Sequence, residues 1–221
     1  MKLVLRALLK YGIGLLLVML LVFVPAGALE FVNGWIFIGL LFIPMLVMGI
    51  VMLAKNPSLL EKRLNGKETE SEQKAVVGIS GIMFLAGFVV AGLNYRFGWQ
   101  QLPLWMVITA SGVFFIAYLL YAEVMKENTY LSRTIEVQQE QKIIDTGLYG
   151  IVRHPMYFST LLMFLSIPLI LGSLYSFLIF LIYPFVLVVR IRNEESVLEK
   201  GLEGYTAYKQ KVKYRLIPFV W

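Results

Sequence analysis

The chain has 221 residues, of which 59% are apolar and 15% charged, and its mean hydropathy is +0.75; a soluble domain runs near roughly 45–50% and 25%, so this is an integral membrane protein with room for five or six spans and short loops. The absence of Cys and the single His exclude disulfides, thiolate metal sites and a Cys nucleophile, and leave no metal site to expect. The formal charge of +6 belongs to membrane-flanking loops, so no nucleic-acid partner is expected.

Lys2, Arg6 and Lys10 precede an apolar run from Tyr11 to Val24. Ala26-Gly27-Ala28 has the small residues of a signal-peptidase site, but the remaining topology is the same whether or not it is cut. A second span is predicted over Gly34 to Leu53. In the polar segment Lys55 to Lys74, Leu59, Leu60 and Leu64 give one short helical face suited to the bilayer surface. The third span, Ala75 to Leu93, carries Gly78, Gly81, Gly87, Ala91 and Gly92, small residues that let helices approach closely in lipid. The fourth, Pro103 to Tyr121, ends at Glu123 and Lys126, read as helix-end charges. Partial alternation at Thr134-Ile135-Glu136-Val137 suggests an extended ribbon within the polar segment Glu127 to Thr146.

The stretch from Gly147 to Glu195 organises the rest. An apolar run from Met156 to Val189 is interrupted at Pro168 and at Gly172-Ser173, leaving two pieces of roughly 16 residues, about 24 Å of helix each. That is the pattern of a helical hairpin. Its entrance carries Arg153, His154 and Tyr157; its exit carries Arg190, Arg192, Glu194 and Glu195. A hairpin brings entrance and exit to one membrane face. Beyond Glu195, Leu198, Leu202, Tyr205, Tyr208 and Val212 recur at near-helical spacing, weakened by Gly201 and Gly204, and predict an interfacial amphipathic helix with a breaker at Pro218. Tyr205 and Tyr208 read best as interfacial anchors.

Segments 2–10, 55–74, 126–153 and 190–215 hold 19 of the 20 Lys and Arg residues, and Arg96 stands alone on the other side. The split predicts six alternating spans with both termini, and both polar clusters, cytoplasmic. The whole chain, 1–221, is expected to be one all-α membrane domain, with four variable transmembrane helices in 1–125.

The sequence GLYGIVRHPMYF, the apolar hairpin, RIRNEESVL and the tail YTAYKQKVKYRLIPF together resemble the isoprenylcysteine carboxyl methyltransferase family and its relatives, the phospholipid N-methyltransferases. The resemblance covers about 145–219, which it marks as a methyltransferase core. It implies S-adenosylmethionine bound at the cytoplasmic mouth of the hairpin and a lipophilic small-molecule or lipid acceptor arriving from the bilayer, with no obligate protein partner. Gly147, Tyr149, Arg153, His154, Pro155, Tyr157, Glu194 and Glu195 would form the cofactor motif, with Arg190 and Glu195 as the catalytic residues.

The residue types suit that chemistry. Methyl transfer is an in-line displacement in which the cofactor brings the electrophile, so the protein must bind, align and desolvate. Carboxylates suit the cofactor's ribose hydroxyls and ammonium, Arg its carboxylate, and aromatic walls its adenine. There is no Gly-rich strand-to-helix loop, which argues against a Rossmann cofactor site. Arg190 could present a planar fork to a carboxylate acceptor, which needs orientation but no general base; an amine acceptor of the phospholipid N-methyltransferase kind would need a base. Sterol and steroid reductases carry a similar Arg-His-Pro-Asn-Tyr stretch and bind NADPH, but Met156 stands here at the Asn position. A transporter is disfavoured because the cores of the spans lack ionisable residues.

Overall fold

The computed structural model describes residues 2–65, 71–131, 135, 137, 138 and 140–221, with side chains for all of these except residues 71 and 72. The fold is all-α, as the composition predicts, and no strand occurs among the described residues. In chain order the helices are α1 (Lys2–Ala26), α2 (Val32–Lys55), α3 (Pro57–Leu64), α4 (Ser71–Arg96), α5 (Leu104–Glu127), α6 (Pro155–Ile170), α7 (Leu174–Phe180), α8 (Tyr183–Gly201) and α9 (Tyr205–Lys211). Five segments are long and apolar enough to cross a membrane: α1, α2, Gln73–Arg96 of α4, α5, and Leu174–Gly201, which joins α7 to α8. The α6 helix has 16 residues, about 24 Å, less than the roughly 30 Å hydrocarbon core.

The faces follow from the solvent. On α1, Leu5, Leu9, Ile13, Leu16 and Leu20 are exposed, as they must be in a helix that turns Leu towards lipid. The core is instead assembled from rings: Phe37, Phe114 and Phe180 are fully enclosed, and Phe84 meets both Phe164 and Phe180 edge to face. Lipid tails are as apolar as Leu, so close packing has to supply the cohesion. Two of the small residues of α4 do so: a Cβ at Gly92 would lie 2.6 Å from the Val22 carbonyl oxygen of α1, and one at Gly87 would overlap the Phe180 ring. Gly78 and Gly81 face open space, so the expectation of close packing is corrected for these two.

The hairpin is present, with its turn displaced from one of the two predicted breaks. Pro168 lies inside α6, and the chain reverses at Leu171–Ser173, where Gly172 adopts φ +75° and the Ser173 hydroxyl oxygen accepts from Ser176 N at 3.2 Å. The second arm is interrupted once more before α8, because Pro184 has no N–H with which to continue the ladder. The tail also departs from expectation. Instead of one amphipathic helix over 198–212, α8 runs on to Gly201 and the chain turns through Gly204 at φ +82° into the seven-residue α9. Tyr205, Tyr208 and Val212 are buried against Ile143, Leu198 and Leu202, and so pack on protein. The ribbon expected at 134–137 lies partly outside the described residues; Ile135 and Val137 are in irregular chain.

Candidate functional site

The entrance and exit of the hairpin meet. Pro155 occupies the first turn of α6, where its missing N–H costs nothing, and His154 precedes it without using its side chain as a cap. The backbone N–H groups of Arg153 and His154 donate to the carbonyls of Tyr214 and Arg215 at 2.9 and 2.8 Å, so the tail is stitched along the entrance. Both side chains are then directed at Glu195 on α8. Arg153 Nε donates to Glu195 Oε1 at 2.7 Å, His154 Nε2 lies 3.3 Å from the same oxygen, and Arg215 Nε donates to Oε2 at 2.9 Å. Arg153 Nη1 also donates to the carbonyls of Val212 and Lys213. The side chains of Arg153 and Glu195 are 5% and 4% exposed, so this is a buried carboxylate that two guanidiniums and an imidazole keep satisfied.

A second relay lies one turn further in. The Tyr157 hydroxyl donates to Glu194 and accepts from Arg190 Nε at 2.9 Å, and the Arg190 guanidinium lies over the Tyr157 ring, 5.7 Å from its centroid. Arg190 Nη1 reaches Gln73 of α4 at 3.1 Å. His154 stacks against Tyr157 at 5.7 Å between ring centres. Adjacent acids thus take different partners: Glu195 faces the entrance loop and the tail, whereas Glu194 faces the interior of the mouth.

Most of these groups wall a cavity of about 100 Å³ whose lining is part polar and part apolar. Tyr149, Arg153, His154, Tyr157, Arg190 and Glu194 line it, and of the residues predicted from sequence Gly147, Pro155 and Glu195 do not. Gly147 has a different task. It sits at φ +51° with the Glu127 carboxylate where a Cβ would be, and Glu127 accepts from Leu148 N at 3.2 Å, so Gly147 seats the carboxylate that holds the 3-10 turn Gly147–Gly150. That turn presents Tyr149, whose hydroxyl accepts from Asn128 Nδ2 at 3.0 Å and whose carbonyl accepts from the Tyr208 hydroxyl at 2.8 Å. Lys211 reaches Asp145 at 2.6 Å and holds its carboxyl below the usual range, tying α9 to the same loop.

Sequence reasoning set Tyr205 and Tyr208 aside as anchors, yet both line the cavity. Burial pushes the hydroxyls of Tyr149, Tyr205 and Tyr208 well above the usual tyrosine range, so all three stay protonated at neutral pH and can donate. The buried Tyr205 hydroxyl has no hydrogen-bond partner among the described residues. Arg215 was also missed. The only sequence signal for the two tyrosines is the Tyr-x-x-Tyr spacing of the tail, because Tyr208 meets Tyr149 across 59 residues; Arg215 meets Glu195 across 20, with no motif to mark it. Glu123 pairs with Lys126 at 3.0 Å, the helix-end arrangement expected of it. No group of three or more His, Asp or Glu residues able to hold a metal occurs among the described residues.

The class these features define is an integral membrane protein with a charged, tyrosine-walled cleft at one end of its bundle. Residues 104–203 match the model of the phospholipid methyltransferase family, in agreement with the resemblance read from the motif. Among curated proteins, the chain is 34% identical over 91 residues to a Delta(14)-sterol reductase, TM7SF2, of Mus musculus, which covers 40% of this chain and 22% of the relative. It is 23% identical over 137 residues to the Delta(14)-sterol reductase of Methylotuvimicrobium alcaliphilum, covering 55% of this chain and 32% of the relative. The chain thus spans less than a third of the length of these relatives. The matched family and both relatives carry the names of enzymes.

Proposed function

We propose that the protein transfers a methyl group from S-adenosylmethionine to a lipophilic acceptor dissolved in the bilayer, at the cytoplasmic face, and that the methylated group is a carboxylate. The observation that carries this reading is the meeting of Arg153, His154 and Tyr157 with Arg190 and Glu194 around one cavity, inside the stretch that matches the methyltransferase family.

The residues suit the cofactor in kind. Tyr149, Tyr205 and Tyr208 offer aromatic faces; the unpartnered Tyr205 hydroxyl and Glu194 offer groups for its hydroxyls and ammonium; Arg153 and His154 offer positive or donor groups for its carboxylate. Ligand sites commonly measure about 300–1,000 Å³, so admitting a molecule of this size requires the walls to part. When bound, the cofactor supplies an activated methyl group. The chain's own work is positional. Arg190 aligns the acceptor oxygen through its planar fork, while Tyr157 holds Arg190 on one side and Glu194 on the other. Glu195 keeps the scaffold closed from behind by fixing Arg153, His154 and Arg215.

Both termini are taken as cytoplasmic, from the distribution of Lys and Arg along the chain. The second reading is an NADPH-dependent reductase, favoured by the names of the two curated relatives. Incubating purified protein with methyl-labelled S-adenosylmethionine and a total lipid extract tests the first reading. A labelled lipid whose methyl group is released by mild alkali, as from an ester, supports it; an alkali-stable N-methylated headgroup replaces the carboxylate by an amine, and no labelled lipid at all removes the reading.

A further inference from the structure

Gln73, in the first turn of α4, is fully buried, and its Oε1 accepts from Arg190 Nη1 at 3.1 Å. A guanidinium has donors only, so this contact fixes which way round the amide sits: its oxygen is towards Arg190 and its NH2 group is turned away. That NH2 group has no hydrogen-bond partner among the described residues. Native proteins satisfy nearly all buried donors, and an exception calls for an explanation. Of the apolar residues that follow on α4, Ala75 and Val77 are exposed and Val76 is buried, so Gln73 stands where the polar network gives way to the face that α4 turns to the bilayer. It also lies outside residues 104–203.

We propose that Gln73 is a specificity-determining residue, whose Nε2 donates to an oxygen of the lipophilic acceptor beside the Arg190 guanidinium. The proposal rests on the methyltransferase reading and adds the residue that selects the acceptor. Two sets of donors side by side favour a group that only accepts, a carboxylate above all. A protonated amine would bring further donors and a like charge to them, and is rejected.

Calorimetry on the full-length protein in detergent, with S-adenosylhomocysteine, decanoate and decylammonium as separate titrants, tests this. The wild type binds decanoate more tightly than decylammonium. Gln73→Glu keeps an oxygen towards Arg190 and loses the donor, and Gln73→Met loses both polar atoms. Each variant lowers decanoate affinity about tenfold, the loss of one charge-assisted hydrogen bond, while S-adenosylhomocysteine affinity stays within about twofold. Thermal unfolding checks that the variants fold, and where Gln73→Glu does not, Gln73→Met decides. Unchanged decanoate affinity in a folded variant, no decanoate binding by the wild type, or a preference for decylammonium each overturns the proposal. If the wild type fails to bind S-adenosylhomocysteine, the methyltransferase reading fails separately, and the decanoate comparison still decides the role of Gln73.

Discussion

The two ends of the hairpin are built from different chemistry. At the turn, polar contacts are neutral: Gln101 forms an isolated bridge with Ser173, Gln101 Nε2 donates to the Asn94 carbonyl at 3.1 Å, and Ser176 Oγ donates to the Gly87 carbonyl at 2.8 Å. At the mouth, Arg153, Arg190, Arg215, His154, Glu194 and Glu195 are joined through Tyr157 and the tail backbone. Both ends close the same pair of helices, so closing a hairpin does not call for charge. A buried charged network is a costly way to fasten helices, and its confinement to one end supports the proposal that the chemistry takes place there.

Breaking the charged end has the largest expected effect. Glu195→Ala leaves Arg153 buried without its carboxylate and removes the partner of His154 and Arg215; it should cost about 3–5 kcal/mol, read as a large fall in thermal unfolding temperature or loss of a monodisperse species. The opposite sign is expected at the turn. Asn94 is fully buried and neither atom of its side-chain amide has a partner among the described residues, so Asn94→Leu should raise the unfolding temperature, by an amount equivalent to about 1–3 kcal/mol. A fall of similar size there would mean that the turn, too, depends on polar groups. Tyr157→Phe sharpens the contrast within the mouth. It removes only the hydroxyl that links Glu194 to Arg190, and should weaken S-adenosylhomocysteine binding about tenfold with a much smaller change in unfolding temperature than Glu195→Ala.

Much of this architecture is legible in the sequence, because long apolar runs and loop charges are local signals: α1, α2, α4, α5 and the hairpin follow from them. The start of α6 follows from Pro155. What escapes is whatever depends on distant contacts. The α3 helix was expected to rest on the bilayer surface, and Leu59 and Leu60 are instead buried, with Arg63 donating to Tyr121 and reaching Met156 Sδ at 3.9 Å. Nothing near Arg215 in sequence marks it as a partner of Glu195. Glu194 and Glu195 look interchangeable in the sequence, yet successive helix positions point about 100° apart, and that rotation puts one beside the cavity and the other behind its wall.

The central claim is that this mouth is a site for S-adenosylmethionine. Calorimetric titration of the purified wild-type protein with S-adenosylhomocysteine and, in parallel, with NADPH tests it most directly. The account predicts saturable binding of S-adenosylhomocysteine, weakened in Tyr157→Phe, and no binding of NADPH; saturable NADPH binding with no response to S-adenosylhomocysteine would contradict it.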